Sequence, residues 1–147
     1  ETMDAALDAF RAFRRRMESH GVVVHRAVAT SATREAKNRA AFMERVHSET
    51  GIDLELIQGT EEARLVALGV REKIPLSRGL SLILDVGGGS CELALVAHGE
   101  IIIVESHDVG AVRLLERVGA VTMWVVPEAG NRCIRLMVTS EMIAAGR

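Results

Sequence analysis

One segment constrains this chain more than any other: Leu80-Ser-Leu-Ile-Leu-Asp-Val-Gly-Gly-Gly-Ser-Cys-Glu-Leu-Ala-Leu-Val-Ala97. Leu80 to Val86 is a continuous apolar run of strand length. Gly87, Gly88 and Gly89 then supply a turn without any Cβ to restrict it. Glu92 to Ala97 alternates back as a second strand. His98-Gly99-Glu100 makes another turn, and Ile101 to Glu105 a third strand. The centre of the chain therefore predicts a meander of three strands whose first turn is a glycine-rich hairpin.

The residues before it alternate helix and strand. Ala6, Leu7, Phe10, Phe13 and Met17 recur at helical steps, so residues 4–19 predict an amphipathic helix. Arg14-Arg15-Arg16 within it reads as a solvated helix face or as a phosphate patch, the former being the ordinary case. Val22 to Ala29 reads as a buried strand. Thr30 or Ser31 is placed to cap a helical run from about Arg34 to Thr50, closed by Gly51. Asp53 to Ile57 is a short strand, and Thr60 is placed to cap a helix over Glu61 to Val70. Val109 to Val118 is helical again. The order predicts an α/β domain with a mixed sheet. Thr122 to Val126 fits either a strand or the start of a buried helix, and residues 127–147 carry no clean period.

Composition narrows the function classes. A chain of 147 residues with 48% apolar content can bury one ordinary core. The formal net charge of −2 argues against a dedicated nucleic-acid binder, and 3% aromatic content with no Tyr removes the stacking platforms of single-strand binders. Cys91 and Cys133 form no CxxC or Cys/His cluster and suit a reducing cytoplasm. No apolar run is long enough for a membrane helix.

Three motifs carry chemistry. Asp85, the glycines, Ser90 and Glu92 combine a carboxylate at a strand end, amides open to an anion, a hydroxyl and a second carboxylate. Two such carboxylates can hold Mg2+ beside a phosphate, and Ser90 can donate to a phosphate oxygen. The plain alternative is a tight hairpin. Gly59-Thr60-Glu61-Glu62-Ala63-Arg64 opens a helix with two carboxylates, which favourable charge at a helix N-terminus would explain alone. Thr30-Ser31-Ala32-Thr33-Arg34 sets an Arg at a strand-to-helix turn, where it clamps a phosphate or simply sits exposed on the helix. Each motif lies near a turn after a strand, where open α/β sheets place ligand groups. Together they suit phosphoanhydride hydrolysis, with a Glu activating water and Arg, metal and amides stabilising the transferred phosphoryl.

These motifs, in this order, resemble the exopolyphosphatase / guanosine pentaphosphate phosphohydrolase family. The likeness runs from Ala29 to Val118 through ATSATREAKN, GTEEARLVALGV, LILDVGGGSCELALV and ESHDVGAVRLLERV. The resemblance implies a ribonuclease-H-like domain of the actin/Hsp70/sugar-kinase superfamily, here incomplete. It implies hydrolysis of terminal phosphates of inorganic polyphosphate or guanosine pentaphosphate with Mg2+, in the cytoplasm, without nucleic-acid or membrane partners, by a homo-oligomer such as a dimer. It assigns the catalytic base to Glu62, phosphate contacts to Arg34, Gly87, Gly88, Gly89 and Ser90, and metal contacts to Asp85 and Glu92. Thr33 replaces a commoner apolar residue, and Cys91 a commoner Thr. The family's first phosphate loop, of DxGSNS type, has no counterpart. The expected organisation is a partial phosphatase domain over 1–120 and an unassigned tail over 121–147, read as the start of a second domain. Sheet edges exposed by that loss would favour self-association. The alternatives are a non-catalytic phosphate- or nucleotide-binding module on the same fold, and a kinase or actin-like ATPase branch of the superfamily.

Overall fold

Helix α1, Thr2–Ser19, places Leu7 on the face that meets α3, Arg39–Thr50. This is a computed structural model, and it describes residues 2–118, 122–127 and 134–139. The chain divides into two compact units, 1–62 and 63–147.

In the first unit Leu7, Val46 and Ile52 form the core, with Met3, Phe10, Met17, Ala27, Phe42 and Leu54 packed around them. Burying a side chain such as Leu7 contributes about 1.5–3 kcal/mol. Phe10 meets Phe13 and Phe42 edge-on, with ring centroids 6.1 and 6.2 Å apart. Arg11 pairs with Asp8 and Glu49, and Arg45 with Asp4 and Glu49, along the outside of the same helix pair. Arg14 pairs with Glu18 along the helix at 2.7 Å, and Arg15 and Arg16 are exposed, so the basic run is a solvated face.

Strands β1, Ala27–Ala29, and β2, Leu54–Leu56, pair in parallel. The strand expected over Val22–Ala29 is thus confined to its last three residues. Val23 and Val24 are 93% and 84% exposed. A continuous apolar run is buried only with neighbours on both sides, and among the described residues β1 pairs with β2 alone. The helix expected from Arg34 to Thr50 is also divided. Helix α2, Ser31–Glu35, stops where Ala36 turns extended (φ −65°, ψ 128°). Arg39 donates its guanidinium to the Arg34 carbonyl at 2.7 Å, supplying the helix end with a side-chain donor. Helix α3 then ends on Gly51, left-handed at φ 66°, whose N–H reaches the His47 carbonyl.

Helix α4, Gly59–Arg71, spans the division between the units. In the second unit β3, Leu80–Val86, β4, Cys91–Ala97, and β5, Glu100–His107, form the antiparallel meander expected. His98 and Gly99 have φ of 52° and 87°, the mirror-image turn that suits the twist of a two-residue hairpin. Burial alternates along β4, with Glu92, Ala94 and Val96 inside. Helix α5, Ala111–Val118, comes next, then an antiparallel pair of β6, Thr122–Pro127, and β7, Ile134–Thr139. The segment that fitted strand or helix is therefore strand. Parallel and antiparallel pairing are both present, in separate sheets. No helix of the described residues is long and apolar enough to cross a membrane.

Candidate functional site

The candidate residues fall into two groups, one in each compact unit. In the first, β1 and β2 run side by side in register, and the Ile57 N–H extends the pairing to the Ala29 carbonyl at 3.1 Å. Both strands therefore end at one edge. Each strand leads into a helix that carries a candidate residue: Arg34 in α2 after β1, and Glu62 in the first turn of α4 after β2.

Arg34 is half-buried, and its Nη1 donates to the Ile57 carbonyl at 3.0 Å. That contact ties the guanidinium to the end of β2 and uses one of its five N–H donors. Helix α2 begins at Ser31, ahead of the run expected from Arg34 and directly after Thr30, but the Thr30 side chain makes no capping bond. The Ser31 hydroxyl instead donates to Glu35 at 2.9 Å. Helix α4 starts at Gly59, earlier than a Thr60 cap implies, because the Gln58 carbonyl already accepts the Glu62 N–H at 3.0 Å. Glu62 thus sits in the first turn of the helix, beside Glu61. The residue is half-buried and its Oε2 atom is buried.

The second group surrounds the glycine turn. Asp85 on β3 faces Glu92 on β4 as a register partner. Directly opposite residues share a face, with Cβ atoms roughly 4.5–5.5 Å apart. Glu92 is 1% exposed, and the Ser106 hydroxyl on β5 donates to its Oε1 at 2.8 Å. A buried carboxylate calls for such a donor or for a cation. Ser90 is also buried, and its carbonyl accepts the Gly87 N–H at 3.0 Å, closing the turn. Burial pushes the Cys91 thiol above its ordinary pKa, and the neighbouring Glu92 and Asp85 charges push it the same way. Cys91 is a free thiol; Cys133 lies outside the described residues.

No group of three or more His, Cys, Asp or Glu residues forms a ready-made metal cage among the described residues. Asp85 and Glu92 provide two hard oxygen donors on one sheet face. That donor set fits Mg2+, which commonly takes one or two carboxylates and completes its shell with water and phosphate.

Three further residues of this group lie in the ESHDVGAVRLLERV segment, where the sequence assigned them no role. Ser106 orients Glu92. Arg113 Nε donates to the Gly89 carbonyl at 2.7 Å. Gly110 is buried and packs so closely that a Cβ there would lie 2.2 Å from the Gly88 carbonyl oxygen. A lone glycine just before a helix was the available signal for Gly110.

A model of the Ppx/GppA phosphatase family matches residues 1–123. Exopolyphosphatase 1 of Mycobacterium tuberculosis is 42% identical over 96 residues, which is 65% of this chain and 28% of that protein. Exopolyphosphatase 2 of the same organism is 38% identical over 97 residues, 63% of this chain and 30% of that protein. The crystal structure of an exopolyphosphatase from Cytophaga hutchinsonii superposes with a TM-score of 0.76 at 38% identity, covering 78% of this chain and 37% of that one. A Ppx/GppA family member from Aquifex aeolicus superposes with a TM-score of 0.67 at 31% identity, covering 78% and 37%. The chain thus spans under a third of the length of these two curated relatives.

Proposed function

The chain belongs to the Ppx/GppA phosphatase family, and from that premise we propose that it carries the catalytic base and a phosphate-holding turn of a phosphoanhydride hydrolase. The substrate is the terminal phosphate of inorganic polyphosphate, the class named in its relatives. Guanosine pentaphosphate is the second substrate to be tested.

The observation that carries this reading is the position of Arg34 and Glu62 after the carboxyl ends of two parallel strands. Glu62 serves as general base, taking a proton from the attacking water as the water oxygen closes on the terminal phosphorus and the bond to the bridging oxygen breaks, so that the shortened polyphosphate leaves. Arg34, tethered to the Ile57 carbonyl, supplies guanidinium N–H donors to phosphate oxygens. In the second unit, Gly87, Gly88 and Gly89 let backbone amides approach a phosphate anion, and Ser90 adds a hydroxyl. Asp85 and Glu92 would hold Mg2+, which when bound neutralises phosphate charge. Ser106 keeps Glu92 oriented for that role.

The test is magnesium-dependent release of inorganic phosphate by this chain from long-chain polyphosphate and from guanosine pentaphosphate. Release from polyphosphate supports the reading, and release from guanosine pentaphosphate alone replaces its substrate. Phosphate binding without release from either would favour a non-catalytic phosphate-binding module.

A further inference from the structure

The carbonyls of all three glycines in the turn are held by one short helix. The Ala111 N–H donates to the Gly87 carbonyl at 2.9 Å. The Val112 and Arg113 N–H groups donate to the Gly88 carbonyl at 2.9 and 3.1 Å. Arg113 reaches back with its Nε to the Gly89 carbonyl at 2.7 Å. The backbone of α5 serves the first two carbonyls, and the side chain of Arg113 serves the third.

Those bonds determine where the amides point. A trans peptide is planar, with its C=O and the next residue's N–H directed oppositely, and the described residues contain no cis peptide. Holding the Gly87, Gly88 and Gly89 carbonyls toward α5 therefore turns the N–H groups of Gly88, Gly89 and Ser90 away from it. Successive backbone amides directed to one side make an anion-binding concavity. Such an approach of helix to turn requires that residue 110 lack a side chain. A Cβ on Gly110 would lie 2.2 Å from Gly88 O, 2.3 Å from Gly88 C and 2.4 Å from Gly89 N.

We infer that Gly110 and Arg113 are positioning residues of the glycine turn, with Arg113 specifically aiming the Ser90 amide at a phosphate oxygen. The inference rests on the phosphate-binding reading above. Neither residue touches the phosphate. Arg113 acts through the Gly89 carbonyl, and Gly110 by giving the helix room.

The experiment uses the 15N,13C-labelled chain, its Arg113→Met and Arg113→Lys variants, and inorganic tripolyphosphate as the probe. In the wild type the Arg113 Nε–H exchanges slowly with solvent and shows coupling across its hydrogen bond to the Gly89 carbonyl. Arg113→Met keeps the strand signals of β3–β5 but lowers the order parameter of the Ser90 amide more than that of Gly88. It weakens tripolyphosphate binding about tenfold, the equivalent of one hydrogen bond. Arg113→Lys, which keeps a donor, recovers part of that loss. A rigid Ser90 amide in Arg113→Met, or affinity within about twofold of wild type, overturns the inference. A rapidly exchanging, uncoupled Arg113 Nε–H in the wild type also overturns it, so the test holds even where the variants do not fold. Wild type that binds no tripolyphosphate removes the functional reading, and the Nε–H and order-parameter results then judge the positioning alone.

Discussion

Gly110 and Gly88, twenty-two positions apart in sequence, are packed backbone to backbone: a methyl on Gly110 would stand 2.2 Å from the Gly88 carbonyl oxygen. The opposing glycine is less demanding. A Cβ on Gly88 would meet only the Val112 side chain, at 3.3 Å. Gly110→Ala should therefore destabilise the chain by about 1–3 kcal/mol, the usual cost of overpacking. Gly88→Ala should cost less, because a valine methyl can yield by a few tenths of an ångström. Urea denaturation of the two variants checks the order. Equal costs would mean that α5 and the turn are not in this contact.

Ser106→Ala removes the hydroxyl that donates to buried Glu92 at 2.8 Å. A buried carboxylate that loses a donor costs about 1–3 kcal/mol. The loss should appear as a lower denaturation midpoint with an unchanged slope. A midpoint equal to wild type would show that Glu92 does not depend on Ser106.

The thiol of Cys91 reports on the same surroundings. Burial disfavours the thiolate, and the charges of Glu92 and Asp85 disfavour it further, so its pKa is raised. Since the thiolate is the reactive form, labelling should be slow at neutral pH and rise through a midpoint above the ordinary value of about 8.5. Glu92→Gln should bring the midpoint down. A midpoint at or below the ordinary value would contradict the described surroundings of Cys91.

Asp85→Asn removes one of two carboxylates on the proposed Mg2+ face. The magnesium concentration for half-maximal phosphate release should rise by about tenfold, the order of effect that a ligand change brings. An unchanged magnesium titration would remove Asp85 from that role.

Among the described residues β3 is an outer strand of its sheet, and its Leu80 and Leu82 are 72% and 55% exposed. An apolar edge strand invites pairing with another copy. Sedimentation across a concentration series should reveal self-association that Leu82→Lys diminishes. A strictly monomeric species throughout would contradict this.

What was legible in the sequence was what local pattern dictates. Alternation along Glu92–Ala97, punctuated by the glycines and by His98-Gly99, is reproduced in the meander almost residue for residue. Thr30 to Arg34 and Gly59 to Glu62 likewise open helices after strands. Tertiary contacts decided the rest. Val22–Val24 have strand composition but stay outside β1, and the helix through Ala36 breaks where Arg39 serves the Arg34 carbonyl. Gly110, Arg113 and Ser106 act on residues at least 14 positions away, which no local period encodes.

Activation of water by Glu62 at a phosphoanhydride is the step on which the proposed hydrolysis depends. It is tested by comparing phosphate release from long-chain polyphosphate by wild type and Glu62→Gln, with tripolyphosphate binding measured alongside. Removing a general base should cut turnover by about 10^2–10^4 and leave affinity nearly unchanged. Equal turnover in Glu62→Gln would contradict the general-base role.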